Sequence, residues 1–218
     1  MHQEEEAIAV DIALIPPAEV RSEVGRINRT LIRRSKDRGV LLGPGGGIAH
    51  ITLAMAPIRA SDLSAVCELL TGVWERHRPL DLTLTGVSSV MTAPGHPVSG
   101  FDIAPEPALR ALHDEVVRGL APFALTETAP SMLAVRKGEG DDPAILKYVR
   151  EFGAAHAGDR YSPHITLGVG EATDPDTRLL LPYRFTAETV AVCHLGNGGT
   201  CRAVLREFGG RQALAPLP

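Results

Sequence analysis

Apolar and polar positions follow two periods along this chain, and the switches between them mark out its elements. Residues 7–15, AIAVDIALI, are a near-continuous apolar run that predicts a buried strand, stopped by Pro16-Pro17. Val20, Val24, Ile27 and Leu31 then recur every three or four residues, which predicts a helix opened by Pro17 and an acidic first turn. A glycine-rich link, Gly43-Pro44-Gly45-Gly46-Gly47, leads to a strand expected over 48–56. A second helix is expected from Ser61-Asp62 to Arg78, then strands over 80–90 and 97–104 about the turn Ala93-Pro94-Gly95. Further expected elements are a helix from Pro105 to before Pro122, a short strand at 131–135, a helix at 143–156 and a strand at 162–170. Two last strands, 184–194 and 199–207, flank Gly196-Asn197-Gly198-Gly199, a strong hairpin signal.

The order is β-α-β-α-β-β-α-β-α-β-β-β. Short strands joined by tight hairpins point to antiparallel or mixed sheets, hence α+β rather than a doubly wound parallel sheet. One echo stands out. Ala49-His50-Ile51-Thr52-Leu53 and Pro163-His164-Ile165-Thr166-Leu167 share His-Ile-Thr-Leu, each copy in an expected strand preceded by a loop. This reads as a worn duplication of a β-α-β unit, too degenerate for a solenoid.

Alternate side chains on a strand face the same way, about 6.5–7 Å apart. His50 therefore shares a face with Thr52, and His164 with Thr166, while the intervening isoleucines and following leucines anchor the opposite face. If the two strands meet at one cleft, it holds two imidazoles and two hydroxyls. Opening a cyclic phosphate needs a base to activate water and an acid to protonate the departing ribose oxygen. Histidine, with a reference pKa of ~6.5, serves either role. Two hydroxyls can hold non-bridging oxygens without a metal. Which histidine is acid and which base is not readable from sequence. A single His-x-Thr on a strand is common and usually structural; the paired copies carry the argument.

Composition narrows the substrate. The 218 residues are 44% hydrophobic with net charge −4, an ordinary globular balance. No basic stripe suited to gripping duplex is apparent, so a short RNA end or a mononucleotide is the expected nucleic-acid substrate. Cys67, Cys193 and Cys201 form no CxxC pair and read as reduced intracellular thiols, with Cys193 and Cys201 able to face each other across the last hairpin. The start, Met1-His2-Gln3-Glu4-Glu5-Glu6, lacks the basic residues of a signal peptide, and no stretch reads as a membrane span. A cytoplasmic protein, monomeric and without cofactor, is the expectation.

On its paired motifs the chain resembles the two-histidine (2H) phosphoesterase superfamily, in particular the bacterial 2'-5' RNA ligase and RNA cyclic phosphodiesterase branch. Its opening strand and helix, AVDIALIPPAEVRSEVGRINRTL, are also similar to the way many members begin. The resemblance implies one bilobal α+β domain over 1–218, ordered over about 7–207. It implies two antiparallel sheets about a central groove, helices outside and a pseudo-twofold duplication. It implies metal-free action on 2',3'-cyclic phosphates, with RNA joining as the reverse reaction. His50 and His164 inherit the catalytic roles, and Thr52 and Thr166 hold phosphate.

Other features weigh less. Gly43–Gly47 lacks the Lys-Ser/Thr of a phosphate loop and leads into a strand, so it reads as a flexible connector. Tyr161 either stacks on a base or packs where a strand begins. Arg160 and Arg136, with Lys137, are candidate phosphate contacts, though exposed basic residues are common. Trp74, Phe101 and Phe185 read as core. His2, His77, His96, His113, His156 and His194 show no zinc spacing, and His194 reads as structural. Two rivals stand beside the hydrolase: a module that binds a nucleotide or RNA end without turnover, and a metal-dependent hydrolase using the histidines as ligands.

Overall fold

A computed structural model describes residues 6–92 and 96–209. The acidic start through residue 5, His2 and the Ala93-Pro94-Gly95 turn lie outside the described residues. Strand β1 (Ala7–Ile15) is followed by α1 (Ala18–Ser35), β2 (Ile51–Arg59), α2 (Leu63–His77), β3 (Leu80–Met91) and β4 (Pro97–Ile103). Then come α3 (Pro107–Leu120), α4 (Pro143–Ala155), β5 (His164–Val169), β6 (Tyr183–Ala187), β7 (Thr189–Gly196) and β8 (Thr200–Gly209). The strands form two antiparallel sheets, ordered β2-β1-β7-β8 and β5-β4-β3-β6. This is the expected α+β class, two sheets about a groove.

The apolar run of β1 is buried on both faces because β1 is central. Ile12 lies under Val66, Leu70, Val73 and Val116 of α2 and α3. The helices are exchanged between the sheets. Helix α1, which follows β1 of the first sheet, packs on β5 of the second, while α3, which follows β4 of the second, packs on β2 of the first. Each helix thereby buries its apolar stripe against a strand distant in sequence.

The duplication extends into the backbone. Both motif strands, β2 and β5, are sheet edges, and they approach each other. Each carries a bulge at the leucine of His-Ile-Thr-Leu. Thr52 pairs with Ala13 and Ala54 with Ile12, leaving Leu53 unpaired. Thr166 pairs with Gly100 and Gly168 with Ser99, leaving Leu167 unpaired. A bulged carbonyl leaves the ladder and needs another donor. The exchanged helices supply it: His113 Nδ1 of α3 donates to Leu53 O at 2.7 Å, and Asn28 Nδ2 of α1 donates to Leu167 O at 2.8 Å. Both polar side chains are buried for this purpose.

Three expectations need correction. Residues 131–135 form no strand: Pro130 opens a 3-10 turn over Pro130–Met132, and Ala134 N makes a lone bond to Leu195 O. The expected strand 184–194 is two strands in different sheets, β6 pairing with β3 and β7 with β1, parted by Glu188. Apolar residues lie close on both sides of that crossover, so hydrophobicity alone does not mark it. The Gly43–Gly47 link is a hydrogen-bonded turn rather than a loose connector. Gly46 N donates to Gly43 O and Gly47 N to Leu41 O, and a Cβ on Gly46 would collide with Leu41 O.

Candidate functional site

The ordered glycine turn delivers Ile48 to the edge of β8, where its N–H donates to Cys201 O at 2.9 Å. Its carbonyl then fixes the first histidine: His50 Nδ1 donates to Ile48 O at 2.7 Å. The second copy repeats this contact, with His164 Nδ1 donating to Ser162 O at 2.9 Å. A carbonyl accepts only, so each Nδ1 carries a proton and Nε2 is the nitrogen that remains to titrate. The two motifs thus share an edge strand, a bulge, a supporting helix side chain and a histidine held by the carbonyl two residues earlier. His50 sits one residue before β2 begins, whereas His164 opens β5. Tyr161 ties the copies together by donating its hydroxyl to Thr52 O at 2.9 Å.

Their surroundings differ. His164 is exposed, and Gly100 across the ladder leaves room for its ring. His50 retains 8% of its surface, and its Nε2 lies 3.3 Å from Oδ2 of Asp11, a carboxylate with no exposed surface on β1. Burial pulls the His50 pKa down, but the Asp11 hydrogen bond and charge, with the Ile48 carbonyl, outweigh it, so the net displacement is upward. The same Asp11 Oδ2 accepts from Thr52 Oγ1 at 2.8 Å. Asp11 Oδ1 is buried and accepts no hydrogen bond among the described residues. Cys201 lies beside it; burial, with Cys193 and Asp11 adjacent, pushes its thiol well up. Asp11 also helps burial raise the hydroxyls of Tyr148 and Tyr161.

The remaining expected site residues separate on this geometry. Thr166 is half-buried with its hydroxyl unengaged among the described residues, while the Thr52 hydroxyl proton is committed to Asp11. Tyr161 is no base-stacking platform. It is 6% exposed, and the His113 ring covers it in parallel at 3.7 Å. Arg160 is exposed, and one of its guanidinium nitrogens donates to Ala154 O at the end of α4. Arg136 lies in the loop after the Pro130–Met132 turn, half-buried, its backbone N–H bonded to Glu139. His194 Nε2 donates to Met132 O and is structural as expected, and Trp74, Phe101 and Phe185 are core. Sequence reasoning missed Asp11 and the place of Cys201. Only Asp11 left a signal, as a lone acidic residue inside an otherwise apolar strand.

A sequence model of the 2'-5' RNA ligase superfamily matches residues 16–199. The chain belongs to this superfamily. Solved structures agree in fold. The protein TT0787 of Thermus thermophilus superposes with TM-score 0.56 at 21% identity, covering 94% of this chain and 100% of that one. E. coli LigT complexed with 3'-AMP gives 0.54 at 15% identity, covering 95% and 100%. A crystal structure described as a phosphoesterase gives 0.53 at 16% identity, covering 95% and 100%. No curated protein matches the chain by sequence. Membership of the 2'-5' RNA ligase superfamily makes the chain an enzyme at that level. No helix among the described residues is long and apolar enough to cross a membrane.

Proposed function

We propose that the chain is a metal-independent phosphodiesterase acting on 2',3'-cyclic phosphate ends of RNA or of nucleotides, with His50 and His164 as a general acid–base pair. The carrying observation is the repeated setting of the two imidazoles, each with Nδ1 bound to the carbonyl two residues back, which turns Nε2 of His164 to solvent and Nε2 of His50 to Asp11. The Asp11 carboxylate distinguishes their roles. A lone pair on His50 Nε2 would face that carboxylate at 3.3 Å, so the contact favours a proton between them. His50 is then the acid and the exposed His164 the base. Asp11 and protonated His50 together are neutral, which removes the repulsion a bare buried carboxylate would exert on a phosphate.

Water bound near His164 loses its proton to Nε2 and attacks phosphorus. The P–O bond to one ribose oxygen breaks, and that oxygen takes the His50 Nε2 proton, which leaves its long 3.3 Å contact with Asp11 Oδ2. Thr166 donates to a non-bridging oxygen. With the 5'-hydroxyl of a second RNA end in place of water, the same pair breaks the P–O3' bond of the cyclic phosphate and joins the two ends in a 2'-5' linkage without ATP. LigT binding 3'-AMP, a nucleoside monophosphate, fits an RNA end as ligand. The reading includes a single bilobal domain working as a monomer in the cytoplasm.

A substrate panel in chelator tests this. It holds the four 2',3'-cyclic mononucleotides, an oligonucleotide with a cyclic end, and linear 2'-5' and 3'-5' dimers. Opening of cyclic phosphates is expected. Tight binding with no product would instead mark a binding module, and activity only after a divalent metal is restored would mark a metallohydrolase.

A further inference from the structure

Asp11 on β1, His50 ahead of β2 and Cys201 on β8 come from three separate stretches of chain, so no sequence spacing could have grouped them. One ligand-type atom from each lies within 4.8 Å of the other two. We propose that these three residues form a binding site for a borderline-soft divalent cation of the zinc type, and that an ion held there blocks turnover by occupying His50 Nε2. The second half rests on the reading of His50 given above; the first half does not.

Four observations support the site. Two ligands each ~2.0 Å from a tetrahedral zinc stand about 3.3 Å apart, and His50 Nε2 lies 3.3 Å from Asp11 Oδ2. Second, His50 is oriented as metal-binding histidines are, its other ring nitrogen bonded to a backbone carbonyl. Third, Asp11 Oδ1 is fully buried with no hydrogen-bond partner among the described residues, so the carboxylate has an unmet demand for positive charge that an ion on either of its oxygens would meet. Thr52, bonded to Oδ2, holds the carboxylate in place from outside the ligand set. Fourth, the donors are imidazole, thiolate and carboxylate, which suit zinc or cobalt rather than the all-oxygen preference of magnesium or calcium. Three protein ligands leave a fourth tetrahedral position for water.

Asp11 and Cys201 have no exposed surface, so His50 is the member that meets solvent and the ion enters past it. Binding releases the Cys201 thiol proton and the His50 Nε2 proton to water, with no change of oxidation state. An imidazole coordinated through Nε2 cannot donate a proton to a leaving oxygen, so one bound ion removes the general acid.

The test is titration of Co2+ into the reduced, chelator-stripped full chain, followed by absorbance. One equivalent should give visible bands of a four-coordinate ion and a near-ultraviolet sulfur-to-cobalt band, both bleached by Zn2+. Cys201→Ser should lose the sulfur band, while Cys67→Ser and Cys193→Ser keep it. Asp11→Asn should weaken Co2+ binding by at least about tenfold. Thermal melts of each apo variant separate lost ligation from lost folding. In wild type, Zn2+ should suppress cyclic-phosphate opening, and its half-inhibitory concentration should rise at least about tenfold in Cys201→Ser. No sulfur band in wild type, or a band that survives in folded Cys201→Ser, overturns the site. Absent turnover in chelator with an intact cobalt spectrum would sink the phosphodiesterase reading alone.

Discussion

A buried carboxylate beside a nearly buried imidazole is stable only when something positive lies between them, and this shapes the chemistry of His50. Asp11 holds the His50 pKa up, so the acid stays charged as pH rises and rate is lost only once pH passes that raised value. The groups facing the ring are Asp11, Thr52, Cys201 and the Ile48 carbonyl, of which Asp11 carries the charge. In Asp11→Asn, measured in chelator, kcat should fall about 10²-fold and the alkaline limb of the pH–rate profile should move to lower pH. An unmoved limb would show that Asp11 only packs. The threonines should also part company. With its hydroxyl proton given to Asp11, Thr52 has none to spare for phosphate, so Thr166→Val should cost kcat/KM more than Thr52→Val, by about tenfold or more. At this scale the His-x-Thr pair was legible because a strand motif is local. Asp11 was legible only as an oddity, since its partners come from other segments.

Among elements, the bulges at Leu53 and Leu167 explain two buried polar side chains that otherwise look misplaced in apolar helix faces. Asn28 donates to Leu167 O and Val40 O and accepts from Leu42 N, so it fastens both β5 and the segment leading to the glycine turn. Asn28→Ala strands these groups and should lower unfolding free energy by about 2–4 kcal/mol in a denaturant melt; a loss under about 0.5 kcal/mol would mean the bonds are replaced by water. Long periodic elements such as α1 and β1 were readable from sequence because burial imposes the period directly. The 131–135 segment was not, because Pro130 turns an apolar run into a 3-10 turn. Nor was the break at Glu188, because apolar residues run on both sides of it although β6 and β7 pair in different sheets.

For the molecule as a whole, exchange of α1 and α3 between the sheets means neither sheet is covered without the other's connections, and heat should unfold the chain in one transition. Glu23 adds a long-range tie. It pairs with Arg26 at 2.8 Å and accepts from Thr177 Oγ1 and Arg178 N in the segment before β6. The Arg26 hydrogen bond leads in lowering its pKa from 4.5 to about 2, against the effect of burial. A depressed carboxylate stabilises above its unfolded pKa and loses that contribution as pH falls from about 4.5 toward about 2. Glu23→Gln should therefore cost about 1–3 kcal/mol at pH 7, and the gap to wild type should close near pH 2.

The most direct measurement of the central claim is single-turnover opening of a 2',3'-cyclic mononucleotide in chelator by wild type, His50→Ala and His164→Ala. Each alanine variant should slow the step by about 10²–10⁴-fold while still folding and binding the nucleotide. A near wild-type rate in either folded variant would contradict the paired acid–base account.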